Sequence, residues 1–134
     1  MRFSWTLAAL SVCALLLISC EGNTRLEWSL DNQSSDDLFI VHEAWDFAAL
    51  PPDTLLVLSG ETLLLGSNDL LGGNANAYAP ASFIDTLFIF SASGNLCTKN
   101  WEDAENWKIE SEELSKIPSS WRHTYVLTVD DGDF

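Results

Sequence analysis

Two short stretches carry the residue types that bind metals. His42 and Glu43, with Asp46 close behind, gather an imidazole and two carboxylates, but the spacing matches no recurring zinc site. Asp130-Asp131-Gly132-Asp133 offers oxygens for calcium, an ion that takes about six to eight of them, and the EF-hand loop pattern is absent. Both stretches read as solvated, one a loop and one a tail, and no metal or other cofactor is expected. Catalysis is not expected either. The two histidines, His42 and His123, fall in strand-like runs, and there is no G-x-S-x-G elbow to activate a serine. Cys97 lacks the local signature of a cysteine nucleophile. A glycosidase-type carboxylate pair needs two acids at a set separation, which some pair among 20 acidic residues meets by chance.

The aromatic residues offer a second kind of chemistry. Trp45, Trp101 and Trp107 fall in predicted connections beside amides and acids, and Tyr78 falls in the Gly/Ala-rich loop Gly72–Ala81. A flat ring on a loop, flanked by hydrogen-bond acceptors, suits stacking on a sugar ring. These four are therefore candidate ligand-binding residues, with glycan as the candidate ligand. The alternative is that the rings close the open ends of a β-fold, with an apolar body buried and a polar edge wet. Trp28 and Trp121 follow strand alternation and are assigned to the core.

The N-terminus holds the most specific motif. Arg2 is the sole charge in the first twenty residues, and the run Phe3–Ile18 is uncharged and mostly apolar. A basic start, an apolar run and a small residue at its end are the parts of an export signal. A retained transmembrane helix is the competing reading, although the run barely reaches the ~20 apolar residues a span needs. Leu17-Ile18-Ser19-Cys20 resembles the lipobox of bacterial lipoproteins. That resemblance implies cleavage between Ser19 and Cys20, acylation of the Cys20 thiol, and residence in the cell envelope. Two or more acyl chains suffice for stable anchoring. Glu21 after the lipid site is consistent with sorting to the outer membrane, the familiar retention residue there being aspartate. The expected organisation is a signal peptide over 1–19, a lipidated cysteine and tether over 20–25, and a single domain over 26–134. The tether beyond the cysteine reaches about 17 Å at ~3.4 Å per residue.

Charge narrows the partners. At a formal net charge of −14, the chain cannot follow a nucleic acid backbone, which demands clustered Lys and Arg. Nor is it drawn electrostatically to an anionic lipid surface. A basic protein is the partner such a surface favours. With Cys13 in the signal and Cys20 acylated, Cys97 stands alone, either a small buried hydrophobe in a strand or an intermolecular partner.

The elements follow from periodicity. Leu26, Trp28 and Leu30 alternate with polar residues as in a half-buried strand. Leu38-Phe39-Ile40-Val41 is a strand apolar on both faces. Thr54–Leu58 and Thr62–Leu65 flank Ser59-Gly60-Glu61 as a hairpin, with Gly60 supplying a positive φ. Ile84–Ser91 reads as the middle of a sheet. The segments DTLLVLS and DTLFIFS, starting at Asp53 and Asp85, echo each other. Asn100 can cap one helical turn, and Ser111 can cap Glu112–Ile117, stopped by Pro118. Trp121, His123, Tyr125, Leu127 and Val129 share one face of a last strand. The fold class expected is all-β: an antiparallel β-sandwich of six to seven strands with one or two short helical turns, a small open barrel being the alternative.

These readings lead to three functions. Foremost is an acylated envelope lipoprotein acting as a non-catalytic binding or accessory module, membrane-bound through Cys20, with a protein or glycan partner. An acidic inhibitor of a basic toxin or enzyme is second, and a small envelope hydrolase is third.

Overall fold

Alternation with a period of two builds the two central strands. Every second residue of β1 (Asn23–Asn32) is buried, from Thr24 to Asn32, and β7 (Ser119–Val129) buries His123, Tyr125, Leu127 and Val129. The computed structural model describes residues 21–44 and 54–134. Between β1 and β7 lie β2 (Leu38–Ala44), β3 (Leu55–Val57), β4 (Thr62–Leu71), β5 (Ile84–Ser91) and β6 (Trp107–Lys116). Three 3-10 turns, Pro80–Phe83, Ala104–Asn106 and Asp131–Asp133, complete the described elements. The strands form a four-stranded sheet, β4-β1-β7-β6, and a three-stranded sheet, β3-β2-β5, not closed into a barrel. The molecule is a β-sandwich. Its pairings are antiparallel except β1 with β7, which run parallel at the centre of the larger sheet.

Several elements depart from expectation. The predicted hairpin is instead a crossing between sheets: β3 pairs with β2 in the smaller sheet, whereas β4 pairs with β1 in the larger. Gly60 does take the positive φ, 78°, and its N–H reaches Asn32 O at 2.8 Å. β5 lies at a sheet edge, with β2 in the middle. The two echoing segments flank β2: Val57 pairs with Leu38, and its counterpart Ile89 with Ile40. The offset is even, so both keep the same face inward. Residues expected as a helix after Ser111 are part of β6, whose partner β7 supplies the hydrogen bonds a helix would have made internally. Asn100 Oδ1 accepts from Glu102 N at 3.1 Å in an isolated turn, and the nearby 3-10 turn is capped by Asp103. Trp121 is only partly buried.

The core sits between the sheets. Trp28 stacks on Tyr125 with centroids 5.1 Å apart, and its Nε1–H donates to Pro80 O at 3.0 Å. Burying a large apolar side chain contributes about 1.5–3 kcal/mol. Asn32 is fully buried and fully engaged: its amide nitrogen donates to Asp36 O and Val57 O, and its Oδ1 accepts from Ser34 N and Ser34 Oγ. It ties the end of β1 to the opposite sheet.

That end, with the connections around Asn32, Gly60 and Asp130, is called the far end below. The near end is where β1 begins. Strand structure starts there at Asn23, so three residues expected in the tether belong to the sheet, and Thr24 is fully buried. Gly22 is pinned as well. Its carbonyl accepts from Gly72 N at 2.8 Å, and a Cβ at Gly22 would overlap the Ser119 carbonyl.

Candidate functional site

The three-stranded sheet is apolar on both faces. Leu38, Ile40, Val57, Leu87 and Ile89 point into the core. The alternate residues Phe39, Val41, Leu56 and Phe88 are 37–49% exposed. Register brings them together: Phe39 pairs with Leu56 on one side and Phe90 on the other, and Val41 pairs with Phe88. The Phe88 and Phe90 rings lie 6.4 Å apart. An exposed apolar surface shared by neighbouring strands is a candidate interaction site. The sequence did carry the signal, since Leu38–Val41 and Leu87–Phe90 are apolar without alternation. Leu38–Val41 is apolar on both faces as expected, whereas Ile84–Ser91, expected in the middle of a sheet, lies at an edge with Phe88 partly exposed.

A groove continues this face around the free edge of β5. Leu96 bridges to Phe90 and Cys97 N donates to Ile89 O at 2.8 Å, after which the chain diverges from the strand. The cavity left is about 270 Å³, walled by Leu87, Phe88 and Ile89 on one side and Leu96 to Trp101 on the other. Cys97 is half-buried here beside a single bridge rather than within a strand. Burial, first among several influences, pushes its thiol pKa up, so the neutral, weakly nucleophilic form dominates. Lys99 donates to Thr128 O at 2.6 Å and pairs with the Asp133 carboxylate at 2.8 Å. The ammonium is thereby paired, and the groove presents a mixed lining, apolar along β5 and polar at Thr98, Lys99 and Asn100.

The far end is acidic. Asp31 lies near the end of β1, Asp36, Asp37 and Glu61 come from the β1–β2 and β3–β4 connections, Glu102, Asp103 and Glu105 precede β6, and Asp130, Asp131 and Asp133 follow β7. These are half of the chain's 20 acidic residues. Some of them hold backbone. Asp131 accepts from Ser35 N at 2.7 Å, and Asp130 and Asp133 cap each other's ends of the last 3-10 turn. The stretch expected as a solvated tail is a capped turn tied to β1–β2 and to Lys99.

Of the predicted ligand-binding aromatics, the three among the described residues, Tyr78, Trp101 and Trp107, do not converge on one surface. Tyr78 lies toward the near end, where its N–H donates to the Tyr125 hydroxyl at 3.2 Å and its ring meets Phe83 edge-on at 5.8 Å. Trp107 opens β6, is 5% exposed, and donates Nε1–H to Trp101 O at 2.7 Å. It was expected in a connection; its place opposite Leu127 on β7 draws it into the core. Trp101 alone of these borders the groove. Trp45, Ser19 and Cys20 lie outside the described residues.

The histidines have structural surroundings. His123 is fully buried, with Nε2 at 2.8 Å from Asn74 O and Nδ1 at 2.8 Å from Ser111 Oγ. A carbonyl opposite Nε2 requires a proton on that nitrogen. Burial lowers the pKa of His42. Among the described residues no trio of His, Cys, Asp or Glu is placed to hold a metal ion.

Comparison of the chain with protein families, with curated proteins and with solved structures finds no match.

Proposed function

We propose that this protein is an acylated cell-envelope lipoprotein, most simply of the outer membrane, acting as a non-catalytic binding module. Cys20 carries the lipid, and a protein partner docks on the outward face of the three-stranded sheet and the groove beside β5. The observation that carries the reading is that face: Phe39, Val41, Leu56 and Phe88 leave apolar area exposed to water, and since each is already more than half buried, covering the remainder contributes less than half of the ~1.5–3 kcal/mol of a full burial. The glycan version has less support, because Tyr78 and Trp107 are engaged within the fold. Two experiments test the proposal. Palmitate labelling in a bacterial host is expected to mark the wild-type protein and not the Cys20→Ala variant. A photo-crosslinker at position 88 is expected to trap one discrete envelope protein, in a yield that salt leaves unchanged.

The concentration of carboxylates at the far end favours a second reading, an inhibitor that blocks a basic toxin or enzyme. Crosslinking from position 61 in place of 88, with a yield that falls as ionic strength rises, would select it.

A further inference from the structure

We infer that the near end of the sandwich is a membrane foot, with Leu71 and Ile117 seated in the interfacial layer of the bilayer that holds the Cys20 lipid. The inference rests on the anchor reading above and adds to it a protein surface in contact with lipid.

Leu71 and Ile117 are 86% and 87% exposed, whereas no other exposed large apolar residue among those described exceeds 50%. Both stand where the chain enters the fold. Leu71 ends β4 and pairs with Asn23, the first residue of β1. Ile117 occupies the tight β6–β7 turn between Lys116 and Ser119, and the next residue, Ser120, pairs with Asn23 from the other side. The two side chains therefore flank the start of β1 from its two neighbouring strands.

The covalent chain makes the bilayer the occupant. Gly22 is fixed between Gly72 and the Ser119 carbonyl. Only Glu21 separates it from Cys20, so the two Cα atoms lie at most about 7 Å apart along extended chain. A leash of that length cannot hold Leu71 and Ile117 clear of a membrane into which the Cys20 acyl chains are inserted. The surroundings suit the headgroup layer. Trp121, part-buried behind the turn, donates Nε1–H to Ser119 Oγ at 3.3 Å, and an indole with one polar edge favours that depth. Lys116 next to Ile117 can extend its ammonium toward lipid phosphates. The acids on this side are Glu21 next to Gly22, Asp69 opposite Arg25 and Glu113 opposite Trp121 in the register.

The test uses the acylated full chain in a Cys97→Ser background, with a polarity-sensitive dye attached to the Leu71→Cys, Ile117→Cys or Glu61→Cys variant. Each is reconstituted in phosphatidylethanolamine/phosphatidylglycerol vesicles with and without spin-labelled lipid. The dyes at 71 and 117 are expected to emit further to the blue and to be quenched at least about threefold more than the dye at 61. Without a dye, lipid quenching of the native tryptophans is expected to fall by roughly half in the Leu71→Ser/Ile117→Ser double variant. Intact mass of the same samples reports the anchor separately. Acylated protein with equal quenching at all three positions overturns the foot alone, while an unacylated Cys20 overturns the anchor reading and the foot with it.

Discussion

At the scale of single residues, buried polar groups bind this fold together as much as apolar ones. Asn32 satisfies four partners from the β1–β2 connection and β3. Asn32→Ala leaves those donors and acceptors without a substitute, and a loss of about 3 kcal/mol in urea denaturation is expected. Tyr125 gives a pH signature. Burial, the dominant cause, pushes its pKa up to about 12 from an ordinary 10. The folded state thus keeps the phenolic proton after the unfolded chain has released it, so this contribution is intact below pH 10 and lost as pH climbs toward 12. Denaturation midpoints measured across that window are expected to fall, and to fall less steeply in Tyr125→Phe. Asn32 was visible in the sequence only as the first member of a polar turn. The Ser34 and Asp36 partners are local, but nothing local shows that the residue will be buried against a fourth partner twenty-five residues away in β3.

At the scale of elements, legibility followed how much of each strand's environment was local. β1 and β7 were readable because they lie at the centre of the larger sheet and alternate strictly. β6 was not. Its residues WKIESEELSK are exposed nearly throughout, since it lies at the sheet edge with no described strand across from it. Glu, Lys and Ser at helical spacing then outvote a pairing that only β7 supplies. Charge on such an edge also discourages pairing with another molecule. The crossing at Gly60 was misread for a related reason: a turn residue announces a reversal and not which sheet receives the next strand. Amide hydrogen exchange should reflect this ranking, with β1 and β7 slowest and the outward amides of β6 among the fastest of the strands. Comparable protection of β6 and β7 would count against it. Gly22→Ala drives a methyl into the Ser119 carbonyl, and an overpacking cost of about 1–3 kcal/mol is expected in the same denaturation assay. Of the candidate site, the sequence marked Trp101 but not the groove, because β5's free edge and the segment after Leu96 meet only in the tertiary fold.

At the scale of the whole molecule, ten carboxylates gather at the far end and the two most exposed large apolar side chains of the described residues, Leu71 and Ile117, at the near end. β1 spans ten residues, so the far end stands about 30 Å from the near one at ~3.3 Å per residue. That is several screening lengths at physiological salt, ~8 Å each, so under the proposed membrane foot anionic headgroups would barely sense the far-end carboxylates. Those carboxylates do repel one another. Added sodium chloride is expected to raise the thermal midpoint, by roughly 4–8 °C if screening returns about 1 kcal/mol; a flat or falling midpoint would show that the capped acids are already compensated. The parallel pairing of β1 with β7 has a further consequence, one of timing. Strands near opposite ends of the described chain are neighbours in the larger sheet, so a polypeptide crossing a membrane N-terminus first cannot complete that sheet until β7 has emerged. On the proposed export route, β1 would have no permanent neighbour on that side throughout the passage, and a holding chaperone or speed would be needed to avoid clumping.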